Sequence, residues 1–238
     1  GYCGKSTISY SLARYIAEKG KNVLYFNMEK IGLEKNFINY KDEGITMSDL
    51  FLVYKEENIA ISDNNDRLFF QIKKSILKDD ESGIYYILPP KSGLEFEEMQ
   101  IEEIMNFFNK IQDTGMFDYI LIDMDIEFTT KNLNIMQGAW KVFTIFEPSY
   151  RGYIKYNQFL KEMRMRIEHN IVMKKMIPII NCLSDNLYLE NMMGSFENKE
   201  IIIPYINKIK GYYEFKNSYV IFNSYIIDIF NVINEERL

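Results

Sequence analysis

Gly1-Tyr2-Cys3-Gly4-Lys5-Ser6-Thr7 is the stretch whose reading decides the fold. A Gly-Lys-Ser triplet that runs straight into an apolar-periodic helix is the end of a phosphate-binding loop. The chemistry asks for these residue types. Gly4 lets the backbone pass close to phosphate oxygens while neighbouring N–H groups point inward. Lys5 supplies a positive point charge, and Ser6 offers a hydroxyl to Mg²⁺. The following helix aims the positive end of its dipole at the same anion. Its apolar stripe is Ile8, Leu12, Ala13, Ile16 and Ala17, and Lys19-Gly20 stops it. The glycine that opens the full loop pattern would stand five residues before Gly4, upstream of the chain. A buried strand normally precedes such a loop, so the chain is expected to start after its first strand.

From Lys21 to Asn27 the sequence reads as a strand, and Val23-Leu24-Tyr25-Phe26 is apolar enough to be buried on both faces. It delivers Asn27-Met28-Glu29 at its carboxyl end, where α/β folds bind ligands. Thr46-Met47-Ser48-Asp49 starts a helix, and a second is expected over Leu68–Leu77. Ile84–Leu88 is a short strand stopped by Pro89-Pro90. A single helix is expected over Glu97–Ile111, ended near Gly115. Asp118–Asp125 is the clearest buried strand. Thr130–Gly138 reads as a helix, Lys141–Phe146 as a strand, Gly152 to about Ile167 as a helix and Lys175–Cys182 as a strand. Ile201–Pro204 is a last short strand, and Tyr219–Ile233 a closing helix. Strands and helices alternate without a linker or a repeat. The expectation is α/β: one doubly wound, mostly parallel sheet with helices on both faces, forming a single domain over residues 1–238.

Composition narrows the function classes. Of 238 residues, 47% are hydrophobic and 26% charged, ordinary for a globular chain with a sizeable core. A net charge of −6 argues against direct nucleic-acid binding, whose footprint is basic. Cys3 and Cys182 belong to no metal-spaced set and read as reduced thiols of a cytoplasmic protein. The single His169 removes His-based metal sites. No apolar run reaches the ~18 residues of a membrane-spanning helix, so no membrane insertion is expected.

A nucleotide site needs a second acid opposite the phosphate loop, at the end of a neighbouring strand, to hold Mg²⁺ largely through water. Asp123 fits, with Tyr119-Ile120-Leu121-Ile122 before it. Asp125 competes, two residues on and facing the same side of an extended strand. Asp118 precedes the strand and reads as a cap or a solvated side chain.

The sequence here carries a resemblance. The opening resembles the deviant Walker A loop of the MinD/ParA ATPases, and within them the Gly-Gly-Cys-Gly-Lys-Thr-Thr of the TadZ/CpaE pilus-assembly branch. Lys21–Glu29, Met47-Ser48-Asp49-Leu50, Leu88-Pro89-Pro90 and Phe117–Asp125 resemble segments of that branch in the same order. The resemblance implies a P-loop ATPase that binds ATP and Mg²⁺. Gly1, Tyr2, Cys3, Gly4, Lys5, Ser6 and Thr7 would hold the phosphates, Ser6 and Asp123 the metal, and Asn181 would read the adenine edge. It further implies a nucleotide-dependent homodimer, completed by a signature Lys immediately before Gly1. The partners would be pilus or secretion machinery, reached at the membrane or pole through other proteins.

Three departures shift the emphasis from turnover to binding. Tyr2 replaces the loop's second glycine. Relatives carry Asp-x-Asp at the end of the second strand, where an acid orients the attacking water. This chain has Asn27 and Glu29 there, so only Glu29 is left to act as a base. Glu127 also stands where a glycine follows the acidic strand. The expectation is firm nucleotide binding with slow hydrolysis, catalytic residues Lys5, Glu29 and Asp123, and a non-hydrolysing scaffold as the alternative. A bacterial tyrosine kinase ranks lower, because Tyr205, Tyr212, Tyr213, Tyr219 and Tyr225 are spread through structured segments.

Overall fold

The computed structural model describes residues 4–29, 38–39, 41, 43–59, 66–125, 127, 129–165, 170–183, 200–205 and 212–235. The chain divides into two compact units, one of residues Leu12–Lys131 and the other of Gly1–Ser11 with Asn132–Leu238. No described helix is long and apolar enough to cross a membrane.

The chain begins with α1 (Lys5–Glu18) and β1 (Val23–Asn27). The Leu12–Lys131 unit continues with α2 (Met47–Ile59), α3 (Asp66–Ser75), β2 (Ile76–Lys78), β3 (Tyr85–Ile87), α4 (Glu95–Glu98), α5 (Ile101–Asp113) and β4 (Tyr119–Asp123). Its sheet has the order β2-β3-β1-β4. β1 runs parallel to β3 and β4, while β2 is antiparallel to β3. Val23 to Phe26 are fully buried, as their unbroken apolar run requires. Phe26 lies edge-on to Phe96 and Phe108 at 5.9 and 5.1 Å, and Phe51 packs on Phe96 and Phe107. Such pairs add about 0.5–1.5 kcal/mol each beyond area burial, so this aromatic cluster fixes β1 beneath its helices.

The other unit contains α6 (Thr130–Gly138) from Asn132 onward, β5 (Val142–Phe146), α7 (Tyr150–Met165), α8 (Asn170–Lys175), β6 (Met176–Leu183), β7 (Ile201–Pro204) and α9 (Tyr212–Asn234). Its sheet is parallel throughout, in the order β5-β6-β7. Phe146 stacks on Tyr156 at 4.7 Å and so ties β5 to α7. Lys175 Nζ donates to the carbonyls of Gln137 and Ala139 at 2.7 and 2.8 Å, closing the end of α6.

The structure differs from the sequence reading at five points. The helix expected over Leu68–Leu77 stops at Ser75, whose hydroxyl donates to the Ile72 carbonyl at 2.8 Å. Ile76 and Leu77 then pair with Ile87 and Tyr86 as β2. The helix expected over Glu97–Ile111 is two helices. Met99 and Gln100 are extended, and Gln100 with Glu103 forms a capping box that starts α5 afresh. β4 is less buried than its sequence suggests: Tyr119 to Ile122 are half-buried, because among the described residues this strand lies at the sheet's edge. α8 was not anticipated, and α9 starts seven residues before the expected Tyr219.

Candidate functional site

Gly4 opens α1. Its φ is +82°, a left-handed conformation that glycine adopts without strain, and its carbonyl accepts the Ile8 N–H at 3.0 Å as the first helical bond. A second constraint acts at the same place. A Cβ at Gly4 would stand 2.4 Å from Asn181 Nδ2. Asn181 is buried near the end of β6, in register with Ile203 of β7. The structure thus brings Asn181 against the loop's glycine, in the same unit. Lys5 is half-buried, Ser6 is buried and Thr7 half-buried, all in the first turn. The Ser11 hydroxyl donates to the Thr7 carbonyl at 2.6 Å. That first turn contains a lysine and no acid. Helix starts ordinarily favour Asp and Glu, since the dipole is positive there. A cation at this end suits an anion bound from outside. Gly1, Tyr2 and Cys3 lie outside the described residues.

The acidic strand ends are in the other unit. β1 and β4 run in parallel register, with Asn27 opposite Asp123 and Tyr25 opposite Leu121. Asp123 is the last residue of β4 and is 4% exposed. A buried carboxylate needs hydrogen-bond partners, and Tyr25 Oη donates to its Oδ2 at 2.9 Å. Asp125 lies beyond the strand and is half-buried. Asp118 acts at the strand's start: its Oδ2 accepts the Asn22 N–H at 2.8 Å, and Lys21 Nζ stands 3.9 Å from Oδ1.

Asn27 is tied into a local turn. Its Oδ1 accepts the Glu29 N–H at 2.8 Å, an Asx turn, and the Met28 N–H donates to the Asp123 carbonyl at 2.8 Å. Glu29 is therefore held by its backbone just past β1, with its side chain half-exposed.

No family model matches the sequence, and no curated protein matches it. Solved structures do. A ParA family ATPase from Chlorobium tepidum superposes with a TM-score of 0.68 at 14% identity, over 96% of this chain and 88% of the other. The fold is that of the ParA/MinD ATPases. The septum site-determining protein MinD from Pyrococcus horikoshii, solved with Mg-ADP, gives a TM-score of 0.62 at 15% identity, over 88% and 79% of the two chains. Cobyrinic acid a,c-diamide synthase from Mycobacterium smegmatis, solved with an ATP analogue and magnesium, gives 0.57 at 14% identity, over 92% and 89%. The last similarity shows that the same architecture also serves a synthase, so residues rather than fold must assign chemistry.

Among these residues, sequence reasoning missed Tyr25. Its hydroxyl meets an acid 98 positions away, and only the β1–β4 register reveals that the two share a face.

Proposed function

We propose that the chain is an ATP- and Mg²⁺-binding, slowly hydrolysing ATPase of the MinD/ParA type, whose nucleotide-bound form dimerises and positions pilus or secretion machinery. The observation that carries the reading is the start of α1: a left-handed Gly4, then Lys5 and Ser6, in a first turn without an acid. First-turn N–H groups, the helix dipole and the lysine all favour phosphate. Gly1 to Thr7 form the phosphate cradle, with Lys5 as its charge. The oxygen donors proposed for Mg²⁺ are Ser6 and Asp123, each buried within its own unit. Hydroxyl and carboxylate oxygens suit this hard cation, which keeps waters and phosphate oxygens as its other ligands. Bound Mg²⁺ would neutralise phosphate charge. Asn181, beside Gly4, is the residue proposed to face the adenine edge.

A non-hydrolysing scaffold is the second reading, favoured by the Asx turn that occupies Asn27. Glu29 is then the deciding residue. The kinase alternative is weaker: Tyr212, Tyr213, Tyr219 and Tyr225 lie within α9 rather than in an extended tail.

Isothermal titration with ATP·Mg²⁺ tests the proposal, paired with a phosphate-release assay. Saturable binding and slow turnover that disappears in Glu29→Gln are expected. Wild-type protein that binds no ATP would refute the site, whereas binding with equal turnover in Glu29→Gln would remove Glu29 from catalysis.

A further inference from the structure

We propose that Tyr25 is the positioning residue of the metal-binding acid, holding the Asp123 carboxylate so that Mg²⁺ is bound tightly only while the tyrosine hydroxyl is present. The inference rests on the phosphate-site reading and deepens it.

In a parallel pair, residues in register point to the same face, and so do residues two apart on one strand. Tyr25 is in register with Leu121, so Asp123 is its diagonal neighbour on the same face of the sheet. That diagonal spacing is within reach of an aromatic side chain. The hydroxyl spans it and donates to Asp123 Oδ2 at 2.9 Å. Both groups are almost completely buried, Tyr25 at 2% and Asp123 at 4% exposure. An O–H donor to an ionised carboxylate is a charge-assisted bond, about twice as strong as a neutral one, and it is not weakened here by competing bulk water.

The backbone leaves this aim little freedom. β1 and β4 are in continuous register from Val23 with Tyr119 to Asn27 with Asp123. Just past the acid, the Met28 N–H donates to the Asp123 carbonyl at 2.8 Å. With main chain and Oδ2 both fixed, the orientation of the carboxylate plane is fixed as well. Partners that orient a metal ligand typically change metal affinity by about 10–100-fold when removed. The hydroxyl is also a neutral donor, so it orients the acid without supplying a cation that would compete with Mg²⁺ for its charge.

The test is Mg²⁺ dependence, read separately from nucleotide binding. Fluorescent ATP is bound to wild type and Tyr25→Phe, first in EDTA and then with increasing Mg²⁺. Tyr25→Phe is expected to bind metal-free nucleotide like wild type and to need about tenfold more Mg²⁺ for half-saturation. In an Asp123→Asn background the same substitution should change nothing further, because its effect acts through the acid. Equal Mg²⁺ midpoints in wild type and Tyr25→Phe would overturn the inference, as would a shift of the same size in the Asp123→Asn background. Tyr25→Met repeats the measurement if the phenylalanine variant does not fold. Loss of folding in both would also overturn it, since the hydroxyl would then serve the fold rather than the acid. Wild-type protein that binds no nucleotide under either condition would instead refute the phosphate site itself.

Discussion

Two helix starts in this molecule solve the same physical problem in opposite ways. Each leaves backbone N–H groups without partners inside its helix. α2 satisfies its own: Thr46 and Asp49 form a reciprocal cap, in which the Thr46 N–H and hydroxyl donate to Asp49 Oδ2 at 2.9 and 2.8 Å. The Asp49 N–H donates back to Thr46 Oγ1 at 3.4 Å. The acid in the first turn also faces the positive dipole end. α1 has no acid in its first turn and puts Lys5 there instead. α5 and α7 also cap themselves, with Gln100 and Glu103 and with the Ser149 hydroxyl, although α7 has no acid in its first turn and carries Arg151 there. A helix start stabilised from within is structure. One that carries a cation against its own dipole, behind a glycine in the left-handed region, is what the proposed phosphate site calls for.

The sharpest way to break this contrast is to substitute both starts and measure one ligand. Lys5→Ala is expected to weaken ATP·Mg²⁺ binding by about 10–100-fold, the equivalent of ~1.5–3 kcal/mol for a charge-assisted contact. Thr46→Ala should leave that affinity unchanged while lowering stability by about 1 kcal/mol. Titration calorimetry and urea unfolding of the two variants give both numbers. Similar affinities in the two would mean that the α1 start is not the phosphate site.

Gly4→Ala comes next in expected size and separates two costs at one position. The left-handed φ of +82° costs a residue with a side chain about 1–2 kcal/mol, and the new Cβ meets Asn181 Nδ2 at 2.4 Å. Thermal unfolding should fall by ~2–4 °C for each kcal/mol in a chain of this size. Adding Asn181→Ala should return the steric share and leave the conformational share. If the double variant recovers nothing, Asn181 does not press on the loop.

The same contrast shows what the residues reveal in advance. The helix behind Gly4 was legible because helical periodicity is a local signal. β1, α6 and β7 were found where expected for the same reason, as was Asp123 at the end of its strand. β2 was not, because Ile76-Leu77 continues the apolar spacing of α3 and only pairing with β3 makes it a strand. The break between α4 and α5 was hidden inside a continuous apolar pattern, although Gln100 and Glu103 carry the cap spacing. The contacts of Tyr25 with Asp123 and of Asn181 with Gly4 depend on register and packing across long sequence separations, which no local pattern encodes.

The smallest expected effect is at the cap that the contrast treats as purely structural. The Asp49 carboxyl is held below its ordinary pKa, first by the Thr46 backbone N–H, then by the Thr46 hydroxyl, and only after these by Lys91, 3.7 Å away. A depressed folded pKa means stability that is present above the unfolded value of about 3.9 and lost as pH falls through the folded value. Urea unfolding followed downward from pH 5 should therefore show an acid limb that Asp49→Asn flattens. Thr46→Ala should flatten it only in part, because the larger contributor, the backbone N–H, survives the substitution. The limb should also respond weakly to salt, since hydrogen bonds rather than the exposed Lys91 charge set the shift. An acid limb that vanishes in high salt, with Thr46→Ala and wild type alike, would make Lys91 the cause. The α2 start would then be held by a surface charge, and its contrast with α1 would be one of degree.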